Sequence, residues 1–181
     1  MQLRPQDVVV ALKLCAHLER VPALIPLSVE LGISVSNVHG ALQRIRKSGL
    51  LVLSEEGEVL GQRRLLEFLV HGLPYVWPAE LGAMARGLAT AHSAPPLESR
   101  IVAAEVDVVV WPEARGGARG QSVKPLIPSA AAAARRDEKL YELLALADAL
   151  RVGRVRERKL AAELLEERLV GRRKRAKAAR Q

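Results

Sequence analysis

At 181 residues and 49% apolar side chains, the chain is long and apolar enough to bury a core, which argues against disorder over most of its length. Aromatics make up only 3%, against a single-strand binder that stacks bases on exposed rings, and a lone cysteine, Cys15, excludes an internal disulfide or a multi-thiolate metal site. The net charge of +8 is uneven: residues 1–60 are neutral overall, 61–136 carry +3, 137–170 carry −1 and 171–181 carry +6, so most of the basicity is a tail.

The first 60 residues read as three helices and a hairpin. Pro5 suits a first helical turn, and Val8, Val9, Leu12, Cys15 and Ala16 recur at helical spacing up to about Leu18. A short second helix fits Pro26 to Leu31, with Gly32 placed to stop it. Ser34 is placed to cap a third helix that runs to about Ser48, before Gly49. Leu50 to Leu53 and Val59-Leu60 are short strands around the acidic turn Ser54-Glu55-Glu56-Gly57-Glu58. Gln62 to His71 is helical, with Leu65, Leu66, Leu69 and Val70 on its apolar side. From Gly72 to Pro128 the succession of prolines predicts short strands and loops, Val106 to Trp111 being the best strand. Helical pattern resumes at Asp137 with Leu140, Leu143, Leu144, Ala147 and Leu150. After Gly153 a last helix spans about Val155 to Val170.

The informative stretch is Leu27-Ser28-Val29-Glu30-Leu31-Gly32-Ile33-Ser34-Val35-Ser36-Asn37-Val38-His39: short helix, glycine turn, capping serine, longer helix. At about 100° per residue, Val38, Leu42 and Ile45 share one sector of the third helix and face the core. Ser36, Gly40, Gln43 and Lys47 lie opposite, flanked by Asn37, His39 and Arg44, and residues 35–48 hold no acid. A polar and basic face of this kind can meet base edges and phosphates without repulsion, although it would equally serve as the solvated side of any amphipathic helix. Over residues 5–60 the stretch resembles the helix-turn-helix of bacterial winged-helix regulators, including the multiple-antibiotic-resistance type. That resemblance implies a third helix in the major groove of double-stranded DNA, with Ser36, Asn37, His39, Gln43, Arg44 and Lys47 as its candidate contacts. Glu55, Glu56 and Glu58 depart from the basic wing tip of such proteins and are expected to keep the wing off the phosphates.

The rest of the chain is similar to a group of small bacterial helix-turn-helix proteins, some encoded near toxin-antitoxin or nucleotidyltransferase-like genes. The likeness lies in Leu65-Leu66-Glu67-Phe68-Leu69-Val70-His71-Gly72, in Tyr75-Val76-Trp77-Pro78-Ala79, in Trp111-Pro112 and in Leu140 to Arg151. It brings no ligand, metal, cofactor or catalytic residue. Enzyme readings are poor. His17, His39, His71 and His92 show no metal-ligand spacing, and no Gly-x-Ser-x-Gly frames a nucleophile. Gly116-Gly117-Ala118-Arg119-Gly120 lacks the ending of a phosphate loop and reads as a hairpin loop.

These readings give an α+β chain. A winged helix-turn-helix spans residues 1–72, a strand and loop region 73–136, a helical oligomerisation or partner-binding region 137–170, and a basic tail 171–181. A transcriptional regulator, a repressor rather than an enzyme, is expected, working as a homodimer through the leucine stripes of its C-terminal half. The alternative is a protein-interaction module, such as an antitoxin that neutralises a partner protein. With no run near the ~18 apolar residues of a membrane span and no hydrophobic signal core behind Met1 to Asp7, a cytoplasmic location with no membrane partner is expected.

Overall fold

The computed structural model describes residues 2–17, 23–54, 57–101 and 108–171. Helix and strand are mixed along the chain. Three helices come first: α1 (Pro5–His17), α2 (Leu24–Leu31) and α3 (Val35–Lys47). A hairpin follows, β1 (Leu51–Ser54) antiparallel to β2 (Gly57–Leu60) with Leu51 opposite Leu60. Then come α4 (Gln62–His71) and the single turn α5 (Leu73–Val76).

The middle of the chain builds a small closed barrel from β3 (Leu81–Ala89), β4 (Val109–Pro112) and β5 (Ala118–Val123). β3 runs antiparallel to both partners, and β4 and β5 are parallel to one another. So tight a closure needs backbones to touch. A Cβ on Gly87 would lie 2.0 Å from the Trp111 carbonyl oxygen, and one on Gly120 would lie 2.2 Å from that of Val108. Gly116 and Gly120 thus serve strand closure and both are buried, Gly117 has open space around it, and the segment that reads as a hairpin loop joins two parallel strands instead. Of the expected strand Val106 to Trp111, residues 109–111 are in β4, while Val106 and Asp107 fall outside the described residues.

Three helices complete the fold: α6 (Ala130–Arg136), α7 (Glu138–Val152) and α8 (Val155–Glu166), the last running into a π-helical turn at Glu167–Gly171. Two helices form the centre. α1 is buried from Asp7 through Ala16, and a helix with so little polar face belongs inside a core. It packs on α3, β2 and α7, and α7 in turn contacts α4, α5, α6 and α8. One apolar cluster therefore joins residues of the first and last thirds of the chain, from Val8 to Leu169.

This arrangement changes the role of the C-terminal leucines. Leu140, Leu143, Leu144, Ala147, Leu164 and Leu165 are all buried within the single chain, against α1, α4 and each other. They are core, and of the stripes expected to hold a dimer Leu160 alone among these leucines is only partly buried. Among the described residues no helix is long and apolar enough to cross a membrane.

Candidate functional site

The turn between α2 and α3 is built from local hydrogen bonds. Gly32 ends α2 in the left-handed region at φ 65°, and its N–H donates to the Ser28 carbonyl. Ser28 also closes the turn through its hydroxyl, which donates to the Ile33 carbonyl at 2.7 Å. Ser34 then caps α3 as its sequence position suggested, its Oγ accepting from the Asn37 N–H at 3.2 Å. Val38, Ala41, Leu42 and Ile45 anchor the helix in the core. The opposite side is exposed and presents Ser36, Asn37, His39, Gln43, Arg46 and Lys47.

Two of these are paired. The Gln43 side-chain amide donates to the His39 Nε2 at 2.9 Å, one turn away, which holds both side chains to one stretch of the helix surface. Ser36 lies 3.0 Å from Ser34, hydroxyl to hydroxyl, at the helix start. Ser36, Asn37, His39, Gln43 and Lys47 thus fall on one accessible side of α3.

Arg44 does not join them. Its guanidinium is buried and makes a bidentate ion pair with Asp7 of α1, both N–H···O distances being 2.7 Å. Asp7 also accepts from the Arg4 N–H, so its carboxylate caps the start of α1 as well. The hydrogen bonds to Asp7 push the Arg44 pKa up, further from any loss of charge. Gly40 has the matching role. A Cβ there would lie 3.1 Å from an Arg44 terminal nitrogen, so the glycine makes room for the guanidinium. In the sequence Arg44 is placed only on the flank of the polar sector, and its inward turn depends on Asp7 of α1.

Further basic residues gather at the other end of the helix. The Gly61 N–H donates to the Leu50 carbonyl and Arg64 donates to the Gly49 carbonyl at 2.8 Å, so α4 begins beside the end of α3. Exposed Arg64 thus reaches the turn that follows Arg46 and Lys47, and Arg63 is exposed beside it in the first turn of α4. Arg46 is held by Glu58 of β2, its Nε and one terminal nitrogen each donating to a carboxylate oxygen. That guanidinium holds the Glu58 carboxyl below the usual carboxylate range. Glu58 is thus tied to α3, whereas Glu55 and Glu56 lie outside the described residues, as does the tail 172–181.

His71 is exposed at the end of α4, and His92 is buried in a 3-10 turn with Nδ1 3.6 Å from a Glu157 oxygen. A buried polar cluster lies deeper still. Asp148 of α7 accepts from Trp111 Nε1 at 2.6 Å, Thr90 Oγ1 at 3.1 Å and Arg151 at 2.6 Å, and burial pushes its carboxyl pKa up. Arg151 also donates to the Trp77 and Lys124 carbonyls. The cluster ties barrel to helix in the interior. No family model, no curated protein and no solved structure matches the chain.

Proposed function

We propose that this chain is a sequence-specific double-stranded DNA-binding transcriptional regulator, a repressor, in which residues 1–72 act as a winged helix-turn-helix and α3 enters the major groove. The observation that carries this reading is the exposed side of α3. Ser36, Asn37, His39, Gln43 and Lys47 stand on a helix that is capped by Ser34, anchored by Leu42 and Ile45, and free of acids. Amide side chains such as Gln43 and Asn37 can read adenine with two hydrogen bonds, and Lys47, Arg63 and Arg64 can take phosphates. Binding and positioning account for the whole role, with neither chemistry nor cofactor required.

A homodimer belongs to the same proposal, since two copies of α3 would fit half-sites ~34 Å apart. With the C-terminal leucines inside the fold, the two-fold contact falls on some other surface. A mobility-shift assay with DNA from upstream of the chain's own gene is the direct test. Retardation that unrelated duplex competes away only weakly supports the reading. Equal competition by any duplex would remove sequence specificity from it.

One observation favours a second reading, a protein-interaction module of the antitoxin kind. On the outer side of α2, Ile25 and Val29 are 68% and 65% exposed, one helical turn apart, where phosphates offer apolar groups nothing. Ile25→Ser with Val29→Ser decides between them: intact DNA retardation puts the reading face on α3. A folded wild-type protein that retards no duplex, but holds a partner protein lost in this double variant, favours the second.

A further inference from the structure

The Arg46–Glu58 pair sits at the edge of the proposed DNA surface, and its geometry is that of an arginine on a phosphate. Both donors of one guanidinium edge meet both oxygens of a carboxylate, and the planar fork of arginine fits either anion in this way. The carboxylate is fixed by its place in β2, opposite Leu53, while the guanidinium comes from the last turn of α3. Neither partner is locked in the core: the Arg46 side chain is 49% exposed and that of Glu58 30%. Ion pairs this open are weak, so a phosphate of a well-fitted duplex can displace the carboxylate. Burial does not explain the pair, because two exposed charges need no neutralisation to be tolerated.

We propose that Glu58 is a specificity-determining residue, its carboxylate occupying the Arg46 guanidinium as an internal substitute for phosphate and withholding that arginine from DNA that fits poorly. This rests on the DNA-binding reading and deepens it. In the unbound protein Arg46 is neutralised from within, so a duplex that engages only the outer basic groups gains nothing from it. A duplex seated fully on α3 brings a phosphate close enough to exchange for Glu58. The acidic residue then penalises weak, sequence-independent binding more than specific binding, since only the latter recovers the arginine contact.

The test is a double-mutant cycle of Glu58→Gln and Arg46→Ala in the full chain, with Glu58→Ala as a second replacement and circular dichroism to verify folding. Affinity for a random-sequence duplex is measured by fluorescence anisotropy across a salt series. Removing Glu58 should raise that affinity several-fold and steepen the salt dependence by ~0.9, the slope of one additional phosphate contact. Both gains should vanish in the Arg46→Ala background. An equal gain with and without Arg46 would mean simple repulsion between acid and DNA, and overturns the proposal. So does an unchanged affinity and slope in folded Glu58 variants of a protein that binds DNA. If neither the wild type nor any folded variant binds duplex even at low salt, the DNA-binding reading fails first and takes this one with it.

Discussion

A guanidinium that is 7% exposed and a carboxylate that is 1% exposed have little water to solvate them, so Arg44 and Asp7 depend on each other. Removing one leaves a buried charge uncompensated, which costs far more than the pair itself contributes. Asp7→Ala should therefore lower unfolding free energy by ~3–5 kcal/mol in urea denaturation, whereas Asp7→Leu with Arg44→Met should lose much less. If both variants were equally mild, the pair would be solvated and would contribute little to the packing of α3 on α1. A second pair reports through pH. Burial pushes the Asp137 carboxyl up, but hydrogen bonds from Lys13, His17 and the Leu140 N–H outweigh it and bring the pKa down from 3.8 to about 2. Burial likewise pushes the Lys13 ammonium down, and its bonds to Asp137 and Glu30 more than reverse that. A carboxylate with a depressed folded pKa stabilises the fold above its ordinary value and loses that contribution as pH falls. The stability difference between wild type and Asp137→Asn should thus be full above pH 3.8 and shrink towards pH 2. A difference that stays constant across that window would mean that the carboxylate has an ordinary pKa.

At the scale of elements, what could be read from the sequence was what local rules determine. α3 follows from a cap, an apolar period and a closing glycine, and its bounds Val35–Lys47 lie within a residue of the reading from Ser34 to Ser48. α4 starts and ends at Gln62 and His71 as its leucine pattern indicates. β3 was not legible, because Leu81–Ala89 contains two glycines and three alanines and has little intrinsic strand preference. Its conformation comes from β4 and β5, to which Gly87 is paired on both sides. α6 was missed for the opposite reason: a run of alanines carries no apolar-polar period. The exposed side of α3 followed from phase alone, while the inward turn of Arg44 needed knowledge of α1. Mutations should separate the two sides of α3. Gln43→Ala should weaken operator binding by ~1–3 kcal/mol with an unchanged melting temperature. Leu42→Ala, at a buried position, should instead cost ~2–5 kcal/mol of stability. Thermal melts and anisotropy titrations on the same samples would check both. An unaffected operator affinity in Gln43→Ala would place base reading elsewhere.

For the whole molecule, the question is whether residues 1–72 fold without the rest. Helix-turn-helix units are commonly self-sufficient, and the sequence alone suggests a boundary near Gly72. The packing argues otherwise. α1 lies between α3 and α7, so cutting after residue 72 would uncover part of a helix that is buried from Asp7 to Ala16. Lys13, 7% exposed, would lose Asp137 at 2.5 Å and keep the half-exposed Glu30 and His17. The end of α2 would suffer as well, because the Leu31 carbonyl accepts from Ser129 at 2.7 Å and the Val29 carbonyl from Arg136 at 2.8 Å. These contacts rest α1 and α2 on residues 129–137, and the two α2 carbonyls lose these donors in the fragment. The full chain should therefore unfold in urea as one transition, with far-ultraviolet circular dichroism and tryptophan fluorescence coinciding. The fragment 1–72 should show a broad, weakly cooperative transition and bind DNA poorly. Light scattering on both would add whether either associates. A fragment that unfolds sharply, at a urea concentration close to that of the full chain, would show that α7 merely covers a unit already stable by itself. In that case the interface between α1 and α7 would be a docking surface between two domains, and the C-terminal leucines would again be candidates for contact between copies.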